Sequence, residues 1–161
     1  MRGAAKSILD HVLALDPYEG APWRLLLVSD DDTREVSVVA SPRRLDPAAD
    51  LEYAQALLDV LVDRQASDVV LLDLTQLTTV ADYFVIATVD NIRQARAIED
   101  AVGDAAAKRR HKTKVEGVPE DGWILVDASE GVFVHLFSLE ARMYYDLEGL
   151  WHRAQEIVRV Q

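Results

Sequence analysis

The chain has 161 residues, enough for one domain with a substantial core, since a chain of this size buries roughly 70% of its unfolded surface. With 50% apolar and 28% charged residues it has a globular composition, which excludes a disordered or collagen-like chain. Lys and Arg number 17 against 28 Asp and Glu, a formal charge of −11. The chain as a whole therefore repels phosphate backbones and anionic lipid, which argues against a generic nucleic-acid binder and for a partner with a basic patch or no charged partner.

There is no cysteine, so disulfides, thiolate zinc sites and Cys nucleophiles are excluded and a cytoplasmic protein is expected. No apolar run approaches the roughly 20 residues that cross a bilayer, so no membrane partner is expected. Residues 1–15 look amphipathic with Arg2 and Lys6, but Asp10 and Asp16 argue against an organelle transit peptide.

In chain order, Ile8, Leu9, Val12 and Leu13 mark one face of a short helix that Asp16-Pro17 closes. Two strand-like runs, 23–28 and 35–40, flank an Asp-rich turn and read as a hairpin, and a proline-containing linker follows at 41–47. These elements set off residues 1–49 as an N-terminal extension from a body at 50–161.

The body opens with a helix over 51–64, whose Leu51, Ala54, Leu57, Leu58, Leu61 and Val62 form one stripe. Residues 69–74 and 83–88 are apolar enough for buried strands. Asp90 is placed to cap a second helix, along which Ile92, Ala95, Ile98 and Val102 recur until the basic run at 108–114. Residues 123–127 and 132–137 form an antiparallel hairpin. A last helical region is expected from 139 to about 158, with Leu147, Leu150, Trp151, Ala154 and Val158 on one stripe. The fold class is α/β, a mixed sheet with flanking helices.

Asp73, Asp82 and Asp127 stand at strand ends, where carboxylates can hold Mg²⁺ for nucleotidyl transfer, but no glycine-rich phosphate loop accompanies them and Asp90 opposes a phosphate at the second helix. Capping of turns and strand ends accounts for them better. No pair of histidines has metal-motif spacing, and no Gly-x-Ser-x-Gly elbow is present. His135, between Phe133 and Phe137, fits a half-buried position. The run Lys108-Arg109-Arg110-His111-Lys112-Thr113-Lys114 holds five of the eleven cations beyond residue 50. It suits either a helix C-terminus with a solvated loop or a local RNA contact. On the 123–127 strand Trp123, Leu125 and Asp127 share one side and Ile124 and Val126 the other, so either helices cover the hairpin on both sides or one face is kept for a partner. Arg142, Tyr144 and Tyr145 add residue types that dominate binding hot spots.

Six segments together carry a resemblance: Ala81-Asp82-Tyr83-Phe84-Val85-Ile86-Ala87-Thr88, Arg93-Gln94-Ala95-Arg96-Ala97-Ile98, Val115-Glu116-Gly117, Trp123-Ile124-Leu125-Val126-Asp127, Val134-His135-Leu136-Phe137, and the closing Glu140-Ala141-Arg142-Met143-Tyr144-Tyr145-Asp146-Leu147-Glu148-Gly149-Leu150-Trp151. In this order they resemble the ribosomal silencing factor family, also called Iojap, over about residues 51–151. The resemblance implies a nucleotidyltransferase-like shape without the active site, no enzymatic activity and no cofactor. It also implies binding to the large ribosomal subunit through its fourteenth protein, which blocks subunit joining and represses translation when nutrients are short.

Three features depart from the family pattern. Val89-Asp90-Asn91-Ile92 stands where Gly-Thr-Ser-Ser is usual, Ala128-Ser129-Glu130-Gly131 is one residue longer than the family turn, and the first 50 residues have no counterpart. The expected partner-binding set is Trp123, Leu125, Asp127, His135, Arg142, Tyr144 and Tyr145, with Asp127, Glu130, Glu140, Asp146 and Glu148 facing a basic ribosomal protein. A second copy of the chain stays open as a further partner. The alternative is a residual nucleotide-binding enzyme using Asp73, Asp82 and Asp127 with Mg²⁺.

Overall fold

The structure is a computed structural model that describes Asp10 and residues 46–161. The expected helix around Ile8–Leu13 and the hairpin at 23–40 lie outside the described residues. Helix α1 spans Pro47–Asp63 and is capped by Asp46, whose carboxylate accepts from the Ala48 and Ala49 backbone N–H groups. Pro47 therefore starts the helix rather than ending a linker, as its fixed φ and missing N–H allow at a first helical position. The helix also begins four residues earlier than its apolar stripe indicates.

Strands β1 (Ser67–Asp73) and β2 (Tyr83–Thr88) follow, then helix α2 (Ile92–Lys108). The cap of α2 is Asn91, not Asp90: its side chain accepts from the Gln94 N–H at 2.8 Å. The reason is Gln94, whose Oε1 takes the Asp90 N–H at 2.8 Å while its Nε2 donates to Arg64 and Gln65 carbonyls at the end of α1. That side chain fixes the helix start against α1, which capping preference alone does not reveal. Strand β3 (Lys114–Val118), a 3-10 turn at Pro119–Asp121, and strands β4 (Trp123–Asp127) and β5 (Val132–Phe137) complete the middle of the chain.

The C-terminal part corrects the expected single helix. Helix α3 is Leu139–Tyr145 and helix α4 only Leu147–Leu150, and β6 runs over Gln155–Val160. Between the helices Asp146 adopts φ +43°, a left-handed conformation that breaks the ladder, and its carboxylate accepts from the Gly149 N–H. A Cβ on Gly149 would collide with that carboxylate, so a larger residue there would displace the cap. Beyond the turn, β-branched Ile157, Val158 and Val160 favour extended backbone, and Val158 pairs with Leu71 instead of extending the helical stripe.

The six strands lie in the order β3-β4-β5-β2-β1-β6, with β2 and β5 parallel and all other neighbours antiparallel. The expected β4–β5 hairpin is present. Alternation along the central strands sends Leu71, Val85, Ile124 and Val134 to one face, under α1 and α2. Val70, Phe84, Trp123 and Phe137 go to the other, where Ala141 of α3, Leu147 of α4 and Trp151 cover them. Both faces of the sheet are thus buried, the arrangement of an α/β domain.

Candidate functional site

Helix α3 divides into two sides. Ala141 and Arg142 are buried and Tyr145 half-buried, whereas Leu139, Met143 and Tyr144 are 65%, 75% and 81% exposed. At about 100° per residue, 141, 142 and 145 share the inward arc and 139, 143 and 144 the outward one. Large apolar side chains at this exposure mark an interaction surface more readily than a solvated helix.

The outward side is held rigidly from below. The exposed Tyr144 ring meets Tyr145 edge-on at 5.0 Å, Tyr145 lies 4.7 Å from the Trp123 ring, and Trp123 stacks at 4.7 Å on Phe137. The indole N–H of Trp123 donates to His135 Nδ1 at 3.3 Å, so that nitrogen presents its lone pair. His135 also packs 4.6 Å from Phe84. Aromatic stacking thus runs from the core to the surface.

Arg142 supplies the second anchor. Its guanidinium grips Glu148 with two bonds of 3.0 Å, and its Nη1 donates to the Asp68 carbonyl at 2.7 Å and to Thr88 Oγ1 at 2.9 Å. Arg159 closes the cluster from β6, binding Asp68 at 2.6 Å, Glu148 at 2.8 Å and Glu156 at 3.0 Å. Asp68 reaches both arginines because β1 is irregular between Ser67 and Val70, with Asp68 at φ +46°. Such a bulge frees a strand carbonyl and re-aims its side chain. Burial alone would raise the Glu148 carboxyl, but hydrogen bonds from Arg142 and Arg159, with their charges, hold it below its ordinary value. Arg159 is pushed further up from its already high value, chiefly by its bond to Glu156.

Around α3 the neighbouring turns complete a face. Ser138 caps the helix and its N–H donates to the Gly122 carbonyl at 2.8 Å. A Cβ on Gly122, at φ +79°, would meet Ser138 Oγ at 2.7 Å, so the turn and the helix start need a glycine to lie this close. Beside them a small cleft of about 110 Å³ is lined by Asp90, Ile92, Pro119, Trp123, Leu136 and Ser138, among others. Ile92 and Val118 are 46% and 45% exposed. Asp90, Glu140 and Asp146 are exposed acids in the same part of the fold. The face is therefore apolar with an acidic border.

Burial divides the expected contact set. Trp123, Leu125 and His135 are fully enclosed in the core, so their side chains do not reach a partner; the half-buried histidine is a wholly buried one. Arg142 is 7% exposed and occupied by the ion cluster. Of the expected residues Tyr144 is open and Tyr145 partly so. Asp127 is half-buried at the opposite end of the β4–β5 hairpin, where its carboxylate accepts the Ser129 N–H at 3.0 Å, and Glu130 lies in that same distant turn. Glu148 is held by the two arginines. The sequence reading missed Leu139 and Met143; their i, i+4 spacing beside the inward pair Ala141 and Arg142 is the pattern that could have found them.

Asp73, Asp82 and Asp127 all stand at the end of the sheet away from α3, on or beside β1, β2 and β4. Asp73 accepts the Thr75 N–H and hydroxyl at 2.8 and 2.6 Å, which makes it a turn cap like Asp127. Among the described residues no three His, Asp or Glu side chains gather as a metal site. No helix among the described residues is long and apolar enough to cross a membrane.

Fold and face together define a small mixed α/β domain in which a helix with an apolar outward side is anchored by a partly buried ion cluster. A family model described as ribosomal silencing factor during starvation matches residues 47–161, and the chain belongs to that family. It is 35% identical to the ribosomal silencing factor RsfS of Zymomonas mobilis over 114 residues, covering 70% of this chain and 85% of that one. The RsfS of Bacillus subtilis is 38% identical over 102 residues, 63% of this chain and 83% of its own. The chloroplastic Iojap protein of Arabidopsis thaliana is 32% identical, over 70% of this chain and 47% of the relative. A crystal structure of a Chromobacterium violaceum protein superposes with a TM-score of 0.59 at 31% identity, covering 63% of this chain and 85% of that one.

Proposed function

We propose that this protein docks on the large ribosomal subunit, on its fourteenth protein, and represses translation by occupying space that the small subunit needs. The observation that carries this reading is the outward side of α3: Leu139, Met143 and Tyr144, exposed on a helix that Arg142 and Tyr145 pin to the core. Family membership supports the ribosome as the target. Met and Tyr are enriched at protein interfaces, and a rigid aromatic loses little entropy on binding. The acids Asp90, Glu140 and Asp146 around them fit a basic protein and would speed encounter. No bond is made or broken; the action is steric.

The test is co-sedimentation with purified large subunits. Wild-type protein is expected to travel with the subunits and to reduce their joining to small subunits. The Met143→Ala, Tyr144→Ala double variant should bind at least 30-fold more weakly, about 2 kcal/mol, while its circular dichroism stays native. Equal binding by the double variant would remove this face from the contact, and a wild-type protein that stays at the top of the gradient would overturn the reading altogether.

A further inference from the structure

The basic run at the end of α2 is not used by the docking face. α2 ends with two interlocked turns: the Arg110 N–H bonds the Ala107 carbonyl at 2.9 Å and the His111 N–H bonds the Ala106 carbonyl at 2.9 Å. This closure places one residue in the left-handed region, where glycine is usual. Here it is Arg110, at φ +63°. Lys108, Arg109, Arg110, Lys112 and Lys114 are all exposed. Arg109 pairs with Glu52 at 3.1 Å and Lys114 with Glu116 at 3.6 Å, both on the surface. Lys108, Arg110 and Lys112 form no ion pair with any described residue.

The loop that carries them is fixed. Ser129 Oγ donates to the Lys112 carbonyl at 2.5 Å, tying the loop to the β4–β5 turn. Beneath it the Tyr53 hydroxyl donates to the Ala128 carbonyl at 2.8 Å, and the Tyr53 ring faces His111 at 5.0 Å and the Arg109 guanidinium at 5.2 Å. Burial pushes the Tyr53 phenol up to about 12. Among the described acids, Glu52, Glu116 and Glu130 pair with residues of this run, Glu130 at 3.9 Å from His111, while Asp104 lies one helical turn before Lys108 and Asp127 is cross-strand from Lys114. The helix dipole accounts for cations in the last turn of α2 but not for Lys112 and Lys114 beyond it.

We infer that this patch is a second contact surface, for the phosphate backbone of RNA, at the opposite end of the β4–β5 hairpin from α3. Its three cations that pair with no described residue are spread along a turn rather than converging on one point, which suits a chain of phosphates better than a single anion. Contacts to phosphates carry no base identity, so the contact is independent of sequence. The overall charge of −11 does not forbid it. At physiological salt distant acids are screened beyond about 8 Å, so a few phosphates feel the local cations. A broad anionic membrane meets the acidic remainder of the surface as well, which disfavours that partner.

The inference stands apart from the docking reading, and its main experiment contains no ribosome. Binding of the full chain to a 20-base-pair RNA duplex is measured by fluorescence anisotropy across a KCl series. The Lys108→Gln, Arg110→Gln, Lys112→Gln variant should bind at least tenfold more weakly at 50 mM KCl. Its slope of log K against log salt should be shallower by about 2 to 3, one phosphate contact per cation. A control with Gln55→Glu, Gln76→Glu and Gln155→Glu carries the same net charge and should keep the wild-type slope. No wild-type binding at 50 mM KCl, or equal slopes for variant and control, overturns the inference. So does loss of large-subunit binding in the variant with no RNA binding by wild type, which would make the patch a protein contact, or tight binding to phosphatidylserine vesicles without RNA binding.

Discussion

The two faces of the sheet are covered in different ways. One lies under α1 and α2, helices of 17 residues each, and its core is mainly aliphatic, with Leu57, Leu61, Ile98 and Val102 against Leu71 and Val134. The other lies under helices of seven and four residues and is built on Phe84, Trp123, Phe133, Phe137 and Trp151. Long helices bury an entire stripe and leave little apolar surface facing water. Short ones bring few side chains of their own, so Tyr145 helps cover Trp123 and carries the ring contacts outward to Tyr144. The first face completes the fold, and the second completes the fold while presenting a surface.

That contrast can be broken most severely at Trp123. Trp123→Ala should cost about 4 kcal/mol in thermal or urea unfolding and should also weaken large-subunit binding, because Tyr145 loses its support. Leu61→Ala on the other face is of similar kind, at about 3 kcal/mol, but should leave the affinity of the folded fraction unchanged. If both lower affinity equally, the faces do not differ in function.

Arg142→Met comes next. Removing the guanidinium leaves Glu148 and Asp68 to Arg159 alone and takes the donor from the Asp68 carbonyl and the Thr88 hydroxyl, so a loss of about 2 kcal/mol is expected in unfolding experiments. Arg142→Lys should recover little of it, since an ammonium cannot reproduce the two-pronged grip on Glu148. The same cluster sets an acid sensitivity. The Glu148 carboxyl lies below its ordinary value of about 4.3 in the folded protein. Its contribution is therefore complete above that pH and is lost as pH falls through the lowered folded value. The melting-temperature gap between wild type and Glu148→Gln should be wide at pH 7 and narrow toward pH 3; a constant gap would show that the charge of Glu148 does not matter.

The smallest effect on stability is the sharpest test of the comparison. Met143→Ala with Tyr144→Ala removes two large side chains that pack on little, so stability should move by no more than about 0.5 kcal/mol. A larger loss would make the outward side of α3 part of the core after all.

Much of this architecture was legible in local pattern. The apolar runs of β1, β2, β4 and β5, the α1 stripe and the α2 stripe each announce their element because neighbours in sequence decide it. Strand β6 was hidden because the spacing of Leu147, Leu150, Trp151 and Ala154 reaches Val158 arithmetically, while the competing pairing with β1 lies more than 80 residues away in sequence. The site was less legible than the fold. On β4 both faces are apolar, so alternation separated Trp123 from Ile124 without telling which helices cover each; only the placement of α3 and α4 over Trp123 decides that. The Arg142 cluster joins residues 68, 88, 142, 148 and 159, and no periodicity links such positions.

The division of α3 has a consequence for how recognition can vary. Arg142 and Tyr145 secure the helix, while Leu139, Met143 and Tyr144 contribute little to that attachment. Substitutions on the outward arc therefore meet almost no stability threshold, and contact specificity can drift or be retuned one side chain at a time on an unchanged scaffold. Changes on the inward arc have no such freedom, because the helix that presents the contacts would no longer be held in place.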